Sequence, residues 1–182
     1  MNVSLKPFRS YSEHDVINLF ALDAASGDKG SLVTIKGNGF KNGEDLLFTS
    51  LNTFGTPNVV TQRPEVPWKI KLAASGDNAD TVLGIMLYDV REVNQWNYPL
   101  LFDVERRDAM QCVMSGQANP VVKRGMFLVS GMAGTPGPGS GAVVSDTVAG
   151  GWKVVAGGTA GSIGKFLGVK DADGYALFFL DL

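Results

Sequence analysis

The chain has 182 residues, with 16 Lys+Arg against 18 Asp+Glu, a formal net charge of -2, 23 Gly, one His and one Cys. That length hides roughly 70% of the unfolded chain's surface on folding, and 45% hydrophobic with 19% charged residues is too apolar and too weakly charged for disorder. A pI near 5.3 without a dense basic block excludes an electrostatic footprint for nucleic acid; no apolar run approaches the roughly 20 residues of a membrane span, and single Cys and His residues exclude an internal disulfide and leave little for metal binding.

No signal-peptide pattern opens the chain, so a soluble protein without cofactors, folding in a reducing compartment, is expected. Residues 1–27 mix apolar and polar residues without a sustained period and read as an N-terminal arm. The arm carries Phe8, Tyr11, Ile17 and Phe20, too much apolar surface to float free, so it is expected to dock. From residue 28 the signals are for strands: GSLVTIKG, DLLFTSL, WKIKLAA, TVLGIMLYDV and YPLLFDV are short Val/Ile/Phe-rich runs punctuated by Gly, Asn, Asp and Pro. The stretch 102–116 reads as a short helix or a linker. Strand signals then resume with VVKRGMFLVSG, AVVSDTV, GWKVVAGG, KFLGVKD and GYALFFLDL.

Four blocks recur in the same order. Trp68-Lys69-Ile70 matches Trp152-Lys153-Val154, and Leu83-Gly84-Ile85 matches Leu167-Gly168-Val169, both 84 positions apart. Lys29-Gly30 through Gly37 resembles Arg124-Gly125 through Gly131, and Tyr98 through Phe102 resembles Tyr175 through Phe179. The expected fold is therefore mainly β: two tandem, duplicated small antiparallel β units, barrel or sandwich, preceded by an arm. The expected divisions are 1–27 arm, 28–105 first unit, 106–120 linker and 121–182 second unit. Gly84 and Gly168 are expected to mark bends, and Trp68 and Trp152 to pack in the core or over the barrel ends. The run GTPGPGSG (134–141) reads as an exposed turn.

The sequence carries no recognisable catalytic constellation. A nucleophilic triad needs a base beside the nucleophile, and His14 lies in the arm. Cys112, among Met110, Val113 and Met114, reads as a buried thiol. Gly158 through Phe166 has the wrong spacing for a phosphate loop, Phe166 where Ser/Thr is required, and a strand following. Lys170 through Gly174 lacks the later ligands of a calcium loop and reads as a β-turn. Carboxylates such as Glu44, Asp45, Asp77 and Glu92 fall in solvated loops. No enzymatic role is expected.

The opening LKPFRSYSEHDVINLF followed by DKGSLVTIKG resembles the N-terminal region of tailed-bacteriophage capsid decoration (cement) proteins. The later VVKRGMFLVSG, WKVV and FLGVKDADGYALFFLDL blocks are similar in style. The resemblance implies β-barrel or β-tulip units and a structural virion protein on the capsid surface, assembled in the host cytoplasm. Its partner would be the major capsid protein, possibly with copies of itself, and without direct contact to nucleic acid or membrane. It further implies that the arm anchors through Pro7, Phe8, Arg9, Tyr11 and Phe20. The alternative is a carbohydrate- or receptor-binding β module, in which Trp96, in the loop Asn94-Gln95-Trp96-Asn97-Tyr98, stacks on a ligand.

Overall fold

A computed structural model describes residues 3–40, 66 and 68–182, with the side chains of residues 7–9 and 102 left undescribed. The expected DLLFTSL strand, Glu44 and Asp45 lie outside the described residues. In chain order the strands of the first half are β1 (Ser4–Ser10), β2 (Val16–Ile17), β3 (Ala21–Leu22), β4 (Leu32–Ile35), β5 (Lys69–Leu72), β6 (Val82–Met86), β7 (Asp89–Val90) and β8 (Cys112–Val113). They are followed by β9 (Val121–Val122), β10 (Arg124–Ser130), β11 (Met132–Ala133), β12 (Gly141–Val144), β13 (Trp152–Val155), β14 (Gly164–Phe166) and β15 (Ala176–Asp181). A short helix, α1 (Val104–Ala109), interrupts them. The described chain is thus mainly β, as the strand signals imply.

Two sheets carry the fold. The first runs β2-β9-β6-β4-β5-β3, and the second β1-β10-β15-β14-β12-β13-β11. Without β1, the second repeats the first strand for strand. Both are antiparallel except for one parallel pair at one end, β3 with β5 and β11 with β13. The registers agree as well. Val16 and Ile17 face Val122 and Val121 as Met126 and Phe127 face Phe179 and Phe178. Leu22 faces Ile70 as Met132 faces Trp152, and Leu32 faces Ile85 as Gly141 faces Lys165.

Each sheet also curls back on itself. β2 and β3 are successive parts of one segment whose start pairs with β9 and whose end pairs with β5. Ala21 bridges both Ala118 and Lys69. β10 and β11 divide their pairing between β15 and β13 in the same way. The units are therefore barrel-like.

The geometry corrects which residues of the duplicated units correspond. The bend glycine matching Gly84 is Gly164, not Gly168. Both have φ +156, and a Cβ on either would run into the carbonyl oxygen of the adjacent strand, that of Val122 or Phe179. Gly168 meets nothing within 4 Å. Gly30 corresponds to Gly139 rather than Gly125: each donates its N–H to the carbonyl of an equivalent strand end, Met86 at 2.7 Å and Phe166 at 2.8 Å. GTPGPGSG is thus the second unit's version of the turn before β4. The Trp-Lys blocks are also displaced, because Trp152 takes the place of Ile70. Strand register preserves only the alternation of inward and outward positions, so recurrent residue types need not fall at equivalent places.

One core joins the units. Leu32, Ile85 and Val122 from the first pack in a single buried cluster with Phe127, Trp152, Phe166 and Phe178 from the second. Trp152 is fully buried, lies edge-on to Phe178 at 4.8 Å and donates its indole N–H to the Gly30 carbonyl at 3.0 Å. Main-chain bonds cross the same seam, Leu32 N–H to Gly150 O and Gly150 N–H to Ala73 O. Trp68, by contrast, is partly buried against a smaller cluster holding Phe20, Leu22, Val33 and Ile70, with Phe40 4.5 Å from its ring.

Residues 3–27 do not extend from the body. β1 is the outer strand of the second sheet, antiparallel to β10, and buries Leu5, with Val3 buried just before it. Lys6 lies 4.2 Å from the Tyr175 ring centroid and pairs with Asp173 and Asp171. Partial burial opposes its charge, but the Asp173 hydrogen bond and the two carboxylates together raise its pKa. YPLLFDV is not a strand either. Leu100 is fully buried in a 3-10 turn, and the Asp103 carboxylate caps α1 by accepting the Arg106 N–H at 3.1 Å.

Candidate functional site

Among the described residues the units differ most between their last two strands. The second unit connects β14 to β15 through residues 167–175, whereas the first inserts residues 87–120 between β6 and β9. This insertion holds β7, β8 and α1, with β7 and β8 forming a two-stranded parallel sheet. It is tied firmly to the body. Gly27 and Val90 exchange both main-chain hydrogen bonds, Asp89 accepts the Lys29 N–H at 2.6 Å, and Arg91 pairs with Asp28.

Trp96 lies at the insertion's tip. The loop is closed by a bridge between Val93 and Pro99, and the buried Asn94 accepts the N–H groups of both Trp96 and Tyr98 through its side-chain oxygen, at 2.9 and 3.0 Å. Asn97 adopts φ +65, a conformation asparagine tolerates better than most residues. Within this clamp Trp96 is 55% and Tyr98 67% exposed, and Val93 and Val104 are exposed on the same insertion. Arg106 places its guanidinium 4.3 Å from the Trp96 ring centroid, a cation–π contact that holds the ring while covering part of it. The loop sequence foreshadows an exposed Trp. Its support by Arg106 and Asn94 depends on pairings across the insertion that periodicity does not encode.

The arm residues fall apart as a set. The backbone of Pro7, Phe8 and Arg9 lies in β1, and their side chains lie outside the described residues. Tyr11 is exposed and stacks on Phe127 at 5.8 Å between ring centroids. Phe20 is 5% exposed and packs into the smaller core cluster, so it stabilises the first unit and is not available as a contact. Tyr11 stands between two open hollows. One, of about 370 Å³, is lined by Glu13, Val16, Asn18, Leu87 and Tyr88. The other, of about 390 Å³, is lined by Ser12, Asp15, Arg124, Met126 and Phe179.

Cys112 is buried at the start of β8, with its thiol 3.4 Å from the Arg107 carbonyl. Burial, with the nearby Asp89 charge adding to it, pushes its pKa up. The thiolate is the reactive form. Cys112 should therefore react slowly with Ellman's reagent in the native protein near pH 8 and rapidly once unfolded; equal rates would show that the insertion opens readily. Among the described residues no cluster of three or more His, Cys, Asp or Glu side chains is arranged to hold a metal ion. A scan of protein-family models and searches of curated proteins and of solved structures returned no match.

Proposed function

We propose that the protein is a structural contact protein of a phage virion, binding the outer surface of an icosahedral head and bridging neighbouring major capsid protein subunits. The observation that supports this reading is the set of exposed apolar side chains on a firmly tethered insertion, Val93, Trp96, Tyr98 and Val104, with Trp96 braced by Arg106 and the Trp96 and Tyr98 backbone held by Asn94. Large aromatic side chains held in one geometry lose little conformational entropy on binding and dominate contact energies. The opening sequence block supplies the identity of the surface through its resemblance to decoration proteins.

In this reading the body is a spacer of fixed shape, and the patch takes over the anchoring first ascribed to the arm. Binding would stabilise the expanded shell against internal DNA pressure. Purified heads lacking the protein should take it up to saturation. Trp96→Ala with Tyr98→Ala should lower occupancy at least tenfold while leaving the melting temperature near its starting value, because both side chains are exposed. Unchanged occupancy removes the patch from the account, and no uptake by heads removes the capsid reading.

The rigid, half-exposed Trp96 ring also supports a second reading, glycan binding by stacking. Asn94 offers no side-chain acceptor to a sugar there, since its oxygen already accepts two N–H groups of the loop and the residue is buried. Specific glycan-array binding that disappears in Trp96→Ala would favour this reading over the first.

A further inference from the structure

The duplication leaves one position filled in one unit and open in the other. In the second sheet β1 lies along the outer side of β10, pairing Leu5 with Val129 and Ser4 with Ser130. By the registers above, residues 16–20 of the first unit stand where 126–130 stand in the second. Val129 is fully buried, whereas Leu19, in the same place, is 47% exposed.

The backbone confirms an unused edge. Lys123 donates its N–H to Asp15, so the main chain of Asp15 and Ile17 turns toward β9 while that of Val16 and Asn18 turns away; the alternation ends at Phe20, whose carbonyl accepts the Asn119 N–H at 2.9 Å. Val16 spends its N–H on Glu13 within the preceding 3-10 turn. Asn18 makes no hydrogen bond among the described residues. The hollow of about 370 Å³ is lined by Glu13, Val16 and Asn18 together with Leu87, Tyr88 and Pro120 from the β6 and β9 side.

Other edges are blunted. β1 has a register shift between Leu5 and Arg9, contains Pro7 and carries Lys6. At the opposite edge Lys170 caps the carbonyls of Met132 and Gly134. Bulges, Pro and Lys are the usual protection of sheet edges against pairing, and Val-Ile-Asn-Leu at 16–19 has none of them.

We infer that residues 16–19 are a strand-acceptor site, which takes an extended segment of another polypeptide in antiparallel register. The occupant has the chemistry of β1: apolar side chains at alternate positions, one of them covering Leu19, and a basic residue placed to meet Glu13. Main-chain hydrogen bonds supply the pairing, and the alternate side chains supply the choice of segment. The site is remote in sequence from the Trp96 patch and does not depend on what that patch binds.

The test uses the full chain, isotope-labelled, with three synthetic peptides: Asn-Val-Ser-Leu-Lys, taken from β1, and the model strands Lys-Val-Thr-Val-Lys and Lys-Leu-Thr-Ile-Lys. At least one should shift the amide resonances of Asn18 and Leu19 and slow the hydrogen exchange of Asn18, whose N–H turns to the free edge. N-methylating alternate amides of that peptide should weaken binding at least tenfold in one phase and leave it nearly unchanged in the other, because only one set of N–H groups faces the edge. Leu19→Asp should weaken it similarly with no loss of fold, since Leu19 is exposed. Four results overturn the inference: no binding by any peptide at millimolar concentration; equal effects of both methylation phases; the amide of Asn18 already protected in the free monomer; or a dimer of the free protein that Leu19→Asp dissociates, which would assign the edge to a second copy.

Discussion

Gly84→Ala and Gly164→Ala should each destabilise the protein by about 3 kcal/mol or more, in the range set by steric conflicts that a packed interior cannot relieve. The added Cβ meets a backbone carbonyl, of Val122 or Phe179, and a carbonyl held in a strand ladder cannot rotate away as a side chain can. At φ +156 any L side chain is also strained. Gly168→Ala is the control. It has open space around it, so its cost should stay within about 0.5 kcal/mol. Chemical denaturation of the three variants measures these differences. A large effect at Gly168 with a small one at Gly164 would restore the pairing suggested by the Leu-Gly blocks and refute the correspondence drawn from strand register.

Trp152→Ala should cost about 3–5 kcal/mol, as expected for removing a fully buried large aromatic. Trp152 sits where the two units share their core, against Phe178, and its loss also strips the Gly30 carbonyl of its indole donor. A buried acceptor left without a partner adds about 1–3 kcal/mol where no water can replace the donor. Against a typical total stability of about 5–15 kcal/mol, the variant should melt about 10 °C lower or fail to accumulate in soluble form. Trp152→Phe keeps a ring beside Phe178 and loses only the N–H and some volume, so it should recover more than half of the loss. The equivalent change at Trp68, which is only partly buried, should cost distinctly less. Equal costs at Trp68 and Trp152 would mean that the units are stabilised separately and not through their shared core.

Much of the fold was legible because strands leave a local signature. The alternation in Val121–Ser130 and Ala176–Asp181, and the Gly and Asp-Gly turns between them, reflect pleat geometry and positive-φ positions that each segment records by itself. The existence of a duplication was legible too, since two copies of one barrel-like unit need similar strands in similar order. Their residue-by-residue correspondence was not. A buried inward position accepts Ile70 in one unit and Trp152 in the other, and the shared Trp-Lys spelling pointed two positions away. The YPLLFDV run misled for a related reason: Leu100 is apolar because it is buried, and the Asp103 cap, not apolar content, decides the local conformation.

The candidate site divides in the same way. The sequence alone marked Trp96 as a loop aromatic and Cys112 as a buried thiol, because the neighbours of each set its environment. It also set the acidic, weakly charged composition and the scarcity of His and Cys. Tertiary structure decided what became of the first 27 residues. Their apolar content required docking, but only long-range pairing determined that β1 closes the second sheet, that Phe20 turns inward, and that Leu19 remains uncovered. Such pairing brings together residues more than a hundred positions apart, as Leu5 with Val129, and no local pattern records which of two similar edges a strand will occupy.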